Sequence, residues 1–284
     1  MSRPASSEGF GGGTGSLVGS LGLIALGTAV LLGAIWFGVT SGAGQLTPYL
    51  PRHWDDQVGE WAIKSMVDED NPCRDSAMET WLKKVGPKLV EQVQGEAFEY
   101  RWHVIDDDTP NAFALPGGWV GVHRGLFRVA ERPEEVAGVI AHEIIHSEQR
   151  HGMQRMVGSL GVQVLMGLAF GGSDLSMLAG TGMDLLMLSH SRDQETEADV
   201  LGRVLMVEAG IDPEGMASIF ETFALEAGKG GKMPTLLSSH PDSKGRAALA
   251  RQGERPYRPI ELPPLPSSNC GAAEADEEGS RDEQ

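Results

Sequence analysis

The motif His142-Glu-Ile-Ile-His146 constrains this chain more than any other part of its sequence. Histidines four residues apart lie on one face of an α-helix, so both imidazoles can reach a single zinc ion. Glu143 then lies beside the metal, where it can accept a proton from bound water. The motif therefore predicts a helix that carries a metal site, with one zinc ion per subunit as the cofactor.

The residues around the motif are typical of such a helix. Pro133 opens it at a position where a missing N–H costs nothing. Glu134 and Glu135 follow in the first turn, near the positive end of the helix dipole. Gly152 marks the expected end. The helix is therefore predicted from its termini as well as from its chemistry.

A catalytic zinc ion needs a third protein ligand and keeps its fourth position for water or substrate. The chain has no third histidine at the spacing that puts all three ligands in one motif, because His146 is followed by His151. Glu195 and Asp199 lie four residues apart on a second helical pattern, from Asp193 to Glu208. This spacing allows Glu195 to bind the metal while Asp199 orients a ligating imidazole by accepting its other N–H.

The remaining pattern predicts the rest of a small domain. Residues 76–94 have helical spacing, and residues 98–105 alternate between apolar and polar side chains as a half-buried strand does. Two short strand-like runs, 111–115 and 119–123, are joined by Pro116-Gly-Gly118, which has the turn chemistry of a hairpin. A last helical pattern runs from Pro213 to Ala227. The predicted fold class is α+β, a helix-rich domain with a small sheet, preceded by one transmembrane helix.

The N-terminal region carries no charge from Gly9 to Pro51, and its apolar run is close to the roughly 20 residues of a membrane-spanning helix. We predict a short N-terminal segment, residues 1–16, and a transmembrane anchor, residues 17–42. The alternative is a secretory signal, because Ser41-Gly-Ala43 has the small residues of a cleavage site. A second apolar stretch, 157–188, is interrupted by glycines and is expected to form a helical hairpin, packed beside the site or touching the membrane.

Composition restricts the class of function and the remaining domain boundaries. With 23 Lys+Arg against 40 Asp+Glu, the formal charge of −17 excludes a nucleic-acid binder that works through a basic face. We predict a linker over residues 43–71, a folded domain that carries the zinc site over 72–254, and a disordered Pro-rich and acidic tail over 255–284. Cys73 and Cys270 are too few for a disulfide scaffold, and their pairing stays open.

Several motifs together resemble the HtpX/Oma/BepA-type zinc metallopeptidases, a gluzincin family that also contains the CAAX prenyl protease. The resemblance spans about residues 73–251, and its single-anchor members are the better match. Besides the helix of His142, it is carried by Asn111–Gly118, Ser191–Asp199, Ala209–Pro213, and His240-Pro241 with Arg246 six residues after the histidine.

The resemblance implies a zinc endopeptidase that binds zinc through His142, His146 and Glu195 and uses Glu143 as the general base. It implies that His240 lies near the metal, where it steadies the oxyanion or fills the fourth zinc position. Arg246 would lie close by, as a catalytic residue or in a structural salt bridge. The family also implies a domain outside the cytoplasm, on the periplasmic side of a bacterial inner membrane.

The predicted function is hydrolysis of misfolded or membrane-associated polypeptides, in protein quality control and with membrane quality-control partners. An extended substrate can pair with the strand of the hairpin by strand addition. The alternative function is a chaperone-like or assembly factor whose latent zinc site is blocked by His240. The residues expected along the substrate are Asn111, Ala112, Phe113 and Ala114.

Overall fold

The computed structural model describes residues 14–67, 71–74, 76–159, 189–228, 245–247 and 257–270. Residues 151–159 and 245–247 are also helical. In chain order the elements are α1 (Thr14–Leu46), α2 (Arg52–Met66), α3 (Ala77–Val90), β1 (Arg101–Ile105), β2 (Ala112–Leu115), β3 (Trp119–His123), α4 (Arg124–Val129), α5 (Pro133–Glu148), α6 (Arg192–Glu208) and α7 (Glu214–Gly228), with short 3-10 turns at Thr47–Tyr49 and Pro116–Gly118.

The sheet has three strands in the order β1-β3-β2. Strand β3 pairs parallel to β1 and antiparallel to β2, with Ala112 opposite Val122. The predicted hairpin is therefore confirmed. Its turn requires glycine, because Gly117 has a φ of 80° and a Cβ there would lie 2.5 Å from the Cα of Asp56.

Helix α3 covers one side of the core as its spacing predicts. Ser76 caps its start, since the Ser76 Oγ accepts a hydrogen bond from the Glu79 N–H at 3.2 Å. The predicted apolar face is buried, and its members are Met78, Trp81, Leu82, Val85 and Leu89. The observed helix ends at Val90, so the predicted helical range of residues 76–94 continues about one turn too far.

Helix α5 lies at the centre of the domain and is buried along most of its length. Helices α6 and α7 pack against it closely enough that small residues are needed at the contacts. A Cβ on Gly138 of α5 would lie 2.7 Å from the Cα of Met216 in α7. The helix predicted from Pro133 is therefore confirmed as the element around which the others assemble.

The prediction of a linker over residues 43–71 is wrong for Arg52–Met66, which form α2. Pro51 stands directly before the first turn of this helix, where its missing N–H breaks no helical hydrogen bond. The buried side of α2 lies against the 3-10 turn before β3, where Gly59 leaves no room for a Cβ beside the carbonyl oxygen of Pro116. Asp55, Gly59, Ala62 and Ile63 are the buried residues of the helix.

The prediction of a disordered tail over 255–284 is wrong for residues 257–270, which pack against the core. Leu262 is buried, and the Trp81 Nε1–H donates a hydrogen bond to the carbonyl oxygen of Pro263 at 3.0 Å. Cys270 forms a disulfide with Cys73. Prolines hold this segment extended, which lowers the entropy lost on docking. Residues 271–284 lie outside the described residues.

Within the described part of the chain, no helix combines the length and the hydropathy that crossing a bilayer requires. The transmembrane anchor over residues 17–42 therefore stays a prediction. The predicted hairpin over 157–188 lies outside the described residues from position 160 onward.

Candidate metal centre

Helices α5 and α6 bring together the three residues that the sequence predicts as metal ligands. The Nε2 atoms of His142 and His146 are 2.9 Å apart. One carboxylate oxygen of Glu195 lies 3.3 Å from the His146 Nε2, and the other lies 3.6 Å from the His142 Nε2. All three side chains are buried.

The start of α6 determines where Glu195 lies. Ser191 and Gln194 form a reciprocal capping box, with hydrogen bonds of 3.2 and 3.1 Å between the side chain of each and the backbone N–H of the other. Glu195 follows in the first turn of the helix. Further along α6, Gly202 allows a close approach to α5, because a Cβ there would lie 3.1 Å from the backbone nitrogen of His142.

The separations between these donor atoms fit a metal ion. Atoms bound tetrahedrally to zinc at about 2.0–2.1 Å lie about 3.3 Å from one another, and the three separations in this site lie on either side of that value. Two imidazole nitrogens and one carboxylate oxygen are also the donors of catalytic zinc sites that keep a fourth position open. The group of His142, His146 and Glu195 is thus a buried set that could hold a metal.

Asp199 lies behind His142, with its Oδ1 2.9 Å from the Nδ1 of that imidazole. Burial alone would raise the pKa of Asp199, but hydrogen bonds from Arg246 and His142 hold it below its usual value. The ionised carboxylate accepts the Nδ1–H of His142, which leaves the Nε2 lone pair directed at the other donors. This contact has the geometry that the helical spacing predicts.

Arg246 forms a buried ion cluster with the acidic residues of α6. Its Nε and Nη2 donate to the carboxylate of Asp199 at 2.8 and 2.7 Å, and its Nη1 lies 3.0 Å from the Glu195 Oε2. Its guanidinium carbon lies 4.2 Å from the ring centroid of Phe220. Burial alone would lower the pKa of Arg246, but the bond to Asp199 raises it above its ordinary value. These contacts are those of a structural ion pair.

Glu143 is only 1% exposed, although it carries a carboxylate. Burial lowers the pKa of Arg155 to about 10, while the charges of Glu143 and Glu195 oppose that shift. The Arg155 guanidinium therefore lies within electrostatic reach of both carboxylates. His240, the other residue predicted to act on the substrate, lies outside the described residues.

Sequence comparison agrees with this geometry. The profile of peptidase family M48 matches residues 76–253, which is more than half of the chain. The chain belongs to peptidase family M48. The predicted resemblance to the HtpX/Oma/BepA-type metallopeptidases is confirmed.

Three relatives of this M48 peptidase carry protease names. The β-barrel assembly-enhancing protease of Escherichia coli (strain K12) is 29% identical over 217 residues, which cover 72% of this chain and 44% of the relative. The mitochondrial metalloendopeptidase OMA1 of Schizosaccharomyces pombe is 37% identical over 171 residues, which cover 58% and 50%. The metalloprotease LoiP of Escherichia coli is 33% identical over 177 residues, which cover 60% and 68%. The M48 chain thus spans about half the length of the first two.

Two further histidines lie beside the metal centre of this M48 peptidase. The Nδ1 of His151 is 2.8 Å from the Nδ1 of His146, and the ring of His190 stacks on the His146 ring with centroids 3.7 Å apart. Burial, followed by the charge of Arg155, lowers the pKa of His151 to about 4. His190 is buried as well, although no periodic pattern includes it. Its position directly before the Ser191 capping box of α6 was the sequence signal from which its burial could have been predicted.

The predicted substrate strand is an edge strand of the sheet. One side of β2 pairs with β3, and no strand borders its other side within the described residues. The turn after β2 is tied to α5, because the Ser147 hydroxyl accepts a hydrogen bond from the Gly118 N–H at 3.2 Å. Asn111 lies just before the strand, and its carbonyl oxygen accepts from the His123 N–H at 2.9 Å.

Proposed function

We propose that this M48 peptidase is a membrane-anchored zinc endopeptidase that hydrolyses misfolded or membrane-associated proteins. The observation that carries the proposal is the convergence of the His142 and His146 Nε2 atoms with the Glu195 carboxylate, within 3.6 Å of one another. Family membership and the relatives' names support a metallopeptidase. Zinc, the role of each residue and the class of substrate are our inferences.

In the proposed reaction His142, His146 and Glu195 hold the metal. When bound, zinc polarises the scissile carbonyl and lowers the pKa of its water toward 7. Glu143 accepts the proton of that water and then delivers it to the leaving amine, as general base and then general acid. We propose that His240 donates a hydrogen bond to the developing oxyanion.

Asp199 and Arg246 hold the proposed ligands in place and do not bind the metal themselves. Asp199 holds the Nδ1–H of His142, so that this imidazole presents its Nε2 to the metal. Arg246 balances the negative charge of Asp199 and Glu195, which would otherwise repel each other in a buried site. We therefore assign Arg246 to positioning, and we expect it not to touch the substrate.

Substrate recognition in this proposal uses the edge of β2 that no strand borders among the described residues. An extended peptide can add to a sheet edge through backbone hydrogen bonds, which carry little side-chain selectivity. Residues 111–114 are the proposed contacts. A site that reads backbone suits unfolded polypeptides, and the name of the β-barrel assembly-enhancing relative supports a role in protein quality control.

Two observations support an anchored domain outside the cytoplasm. Large apolar side chains along α1 are exposed, among them Leu23 at 73% and Phe37 at 66%. Disulfides persist in oxidising compartments, and Cys73 is paired with Cys270. We propose a single-pass anchor within residues 17–42 and a domain on the periplasmic side of a bacterial inner membrane.

The test compares casein cleavage by the full-length zinc-loaded chain and by Glu143→Gln. We expect the substitution to lower the rate by about 10²–10⁴-fold, because it removes the general base. Zinc content and the thermal midpoint should stay unchanged. Glu134→Gln, in the first turn of the same helix, is the matched control and should retain full activity.

Equal cleavage by wild type and Glu143→Gln would contradict the assigned mechanism. If neither protein cuts casein while both hold one zinc ion, the latent-site alternative is favoured. Cleavage that starts in His240→Ala would then identify His240 as the blocking group.

A further inference from the structure

We propose that His151 is a positioning residue for the metal centre: it fixes the tautomer and the orientation of His146. The proposal deepens the proposed function and rests on it, since it concerns how a proposed ligand is held. The observation behind it is the distance of 2.8 Å between the Nδ1 atoms of His146 and His151, both of them buried.

Two ring nitrogens at this distance need one donor and one acceptor. The His146 Nε2 faces His142 and Glu195, so this nitrogen carries the lone pair that a metal would take. A neutral imidazole with a bare Nε2 holds its proton on Nδ1. His146 therefore donates and His151 accepts, which places the proton of His151 on its Nε2.

The outer nitrogen of His151 faces a carboxylate. Its Nε2 lies 3.5 Å from the Oε2 of Glu197, a partly exposed residue of α6 two positions before Asp199. His151, backed by Glu197, thus gives His146 a hydrogen-bond partner on its Nδ1, as Asp199 does for His142. Each imidazole has a partner on its Nδ1, and each series ends on a carboxylate of the same helix.

The backbone is built to deliver His151 to this place. Arg150 has a φ of 55°, a left-handed conformation that is rare outside glycine. The conformation is held because the Arg150 side chain donates to Asp55 at 3.0 Å through Nε and to the carbonyl oxygen of Leu50 at 3.0 Å. The turn ends α5 and directs the next residue, His151, back toward His146. Helix α2 therefore helps to position the metal centre.

A different arrangement competes with this one. The ring nitrogens of His146, His151 and His190 also lie close enough together to hold a metal. A metal bound by that group would occupy one nitrogen of His151. It would also compete for His146, which the proposed zinc site shares with His142 and Glu195. The experiment must therefore report which nitrogens carry protons as well as how tightly zinc binds.

The experiment measures zinc affinity of the full-length chain by competition with a chromophoric chelator. His151→Phe keeps a ring but offers no acceptor, and we expect its zinc Kd to rise by about 10–100-fold. His151→Asn places an oxygen near the position of the lost Nδ1, and we expect it to recover most of the affinity. His53→Phe, an exposed histidine of α2, is the matched control and should bind zinc as the wild type does.

A second measurement covers the case in which His151→Phe fails to fold. Nitrogen-15 spectra of the zinc-loaded wild type, with labelled histidine, report the protonation of each ring nitrogen. We expect a protonated Nδ1 on His146 and a bare Nδ1 on His151. The reverse assignment, or a metal-bound His151, would overturn the proposal.

The failure of this inference is distinguishable from failure of the proposed function. If the wild type binds zinc tightly and folded His151→Phe binds it equally well, His151 has no positioning role and the metal centre stands. If the wild type binds no zinc, both fail together.

Discussion

Asp199 is contacted by Arg246 and by His142, and these two contacts keep its buried carboxylate ionised. It accepts from His142 on one side and from both nitrogens of the Arg246 fork on the other. Removing Arg246 would leave the buried Asp199 carboxylate without its cationic partner, a change that costs about 3–5 kcal/mol in a protein interior. The cluster is therefore as important for folding as for orienting the ligand.

Tyr100 gives a pH-dependent prediction at the residue scale. Its hydroxyl contacts the Glu148 Oε1 at 3.0 Å and the Ile144 carbonyl oxygen at 3.2 Å. Burial, followed by the Glu148 charge, raises the pKa of Tyr100 well above 10. The folded state therefore holds this proton more tightly than the unfolded state. The free energy that protonated Tyr100 contributes to stability is fully present below the unfolded pKa of about 10.

We expect the free energy of unfolding of the wild type to fall as pH rises above about 10, through the raised pKa of Tyr100. Tyr100→Phe should lose less stability over the same pH range, because it has no proton to release. Denaturant titrations at several alkaline pH values would measure this. Tyr49→Phe, at an 86% exposed position, should follow the wild type. A Tyr100→Phe curve parallel to the wild type would exclude the explanation.

At the scale of elements, local periodicity predicted what lies close in sequence. The hairpin, α3 and α5 follow from turn residues, apolar spacing and helix termini. Helix α2 was missed because a mostly polar segment between prolines resembles a linker, and its buried residues are explained only by the turn beside it. The parallel pairing of β1 with β3 joins segments that have no local signal for it.

The same limit applies to the candidate site. The His142–His146 motif is local, and the four-residue spacing of Glu195 and Asp199 identifies one helical face. His151 has no such spacing, because it reaches His146 through a left-handed turn at Arg150. Residues brought in by a backbone turn or by packing are not visible in periodicity.

The packing of α5 against α7 gives a prediction of its own. Gly138→Ala puts a Cβ 2.7 Å from the Met216 Cα, so one of the two helices must shift. Overpacking of this kind costs about 1–3 kcal/mol, which exceeds the gain of up to about 1 kcal/mol from replacing glycine in a helix. We expect a lower thermal midpoint. Gly22→Ala in α1, where a Cβ meets nothing within 4 Å, is the control. A midpoint at or above the wild type would refute the close contact.

At the scale of the whole molecule, the segments that flank the metal-binding domain on either side are tied to it. The Arg150 side chain holds the segment after α1, and the disulfide closes a loop between Cys73 and Cys270 with a sequence separation of 197. That loop contains every proposed metal ligand. The disulfide therefore limits how far the segment around Cys270 can separate from the domain that holds the metal centre.

The proposed anchor is tested by placing charge in α1. Leu26→Arg with Val30→Arg should release the full-length chain from membrane pellets after a carbonate wash, since each central arginine costs about 2.5–3.5 kcal/mol of insertion. Casein cleavage should persist. Leu26→Val with Val30→Leu is the apolar control and should stay in the pellet. Identical partitioning of the charged variant and the wild type would contradict an anchor here.

The most direct test of the metal centre is diffraction from crystals of the zinc-loaded full-length chain, recorded at the zinc absorption edge. The account predicts one anomalous peak per chain, within about 2.0–2.2 Å of the Nε2 atoms of His142 and His146 and of a Glu195 oxygen. A peak bound by His146, His151 and His190 without Glu195 would contradict it, as would the absence of any peak at α5.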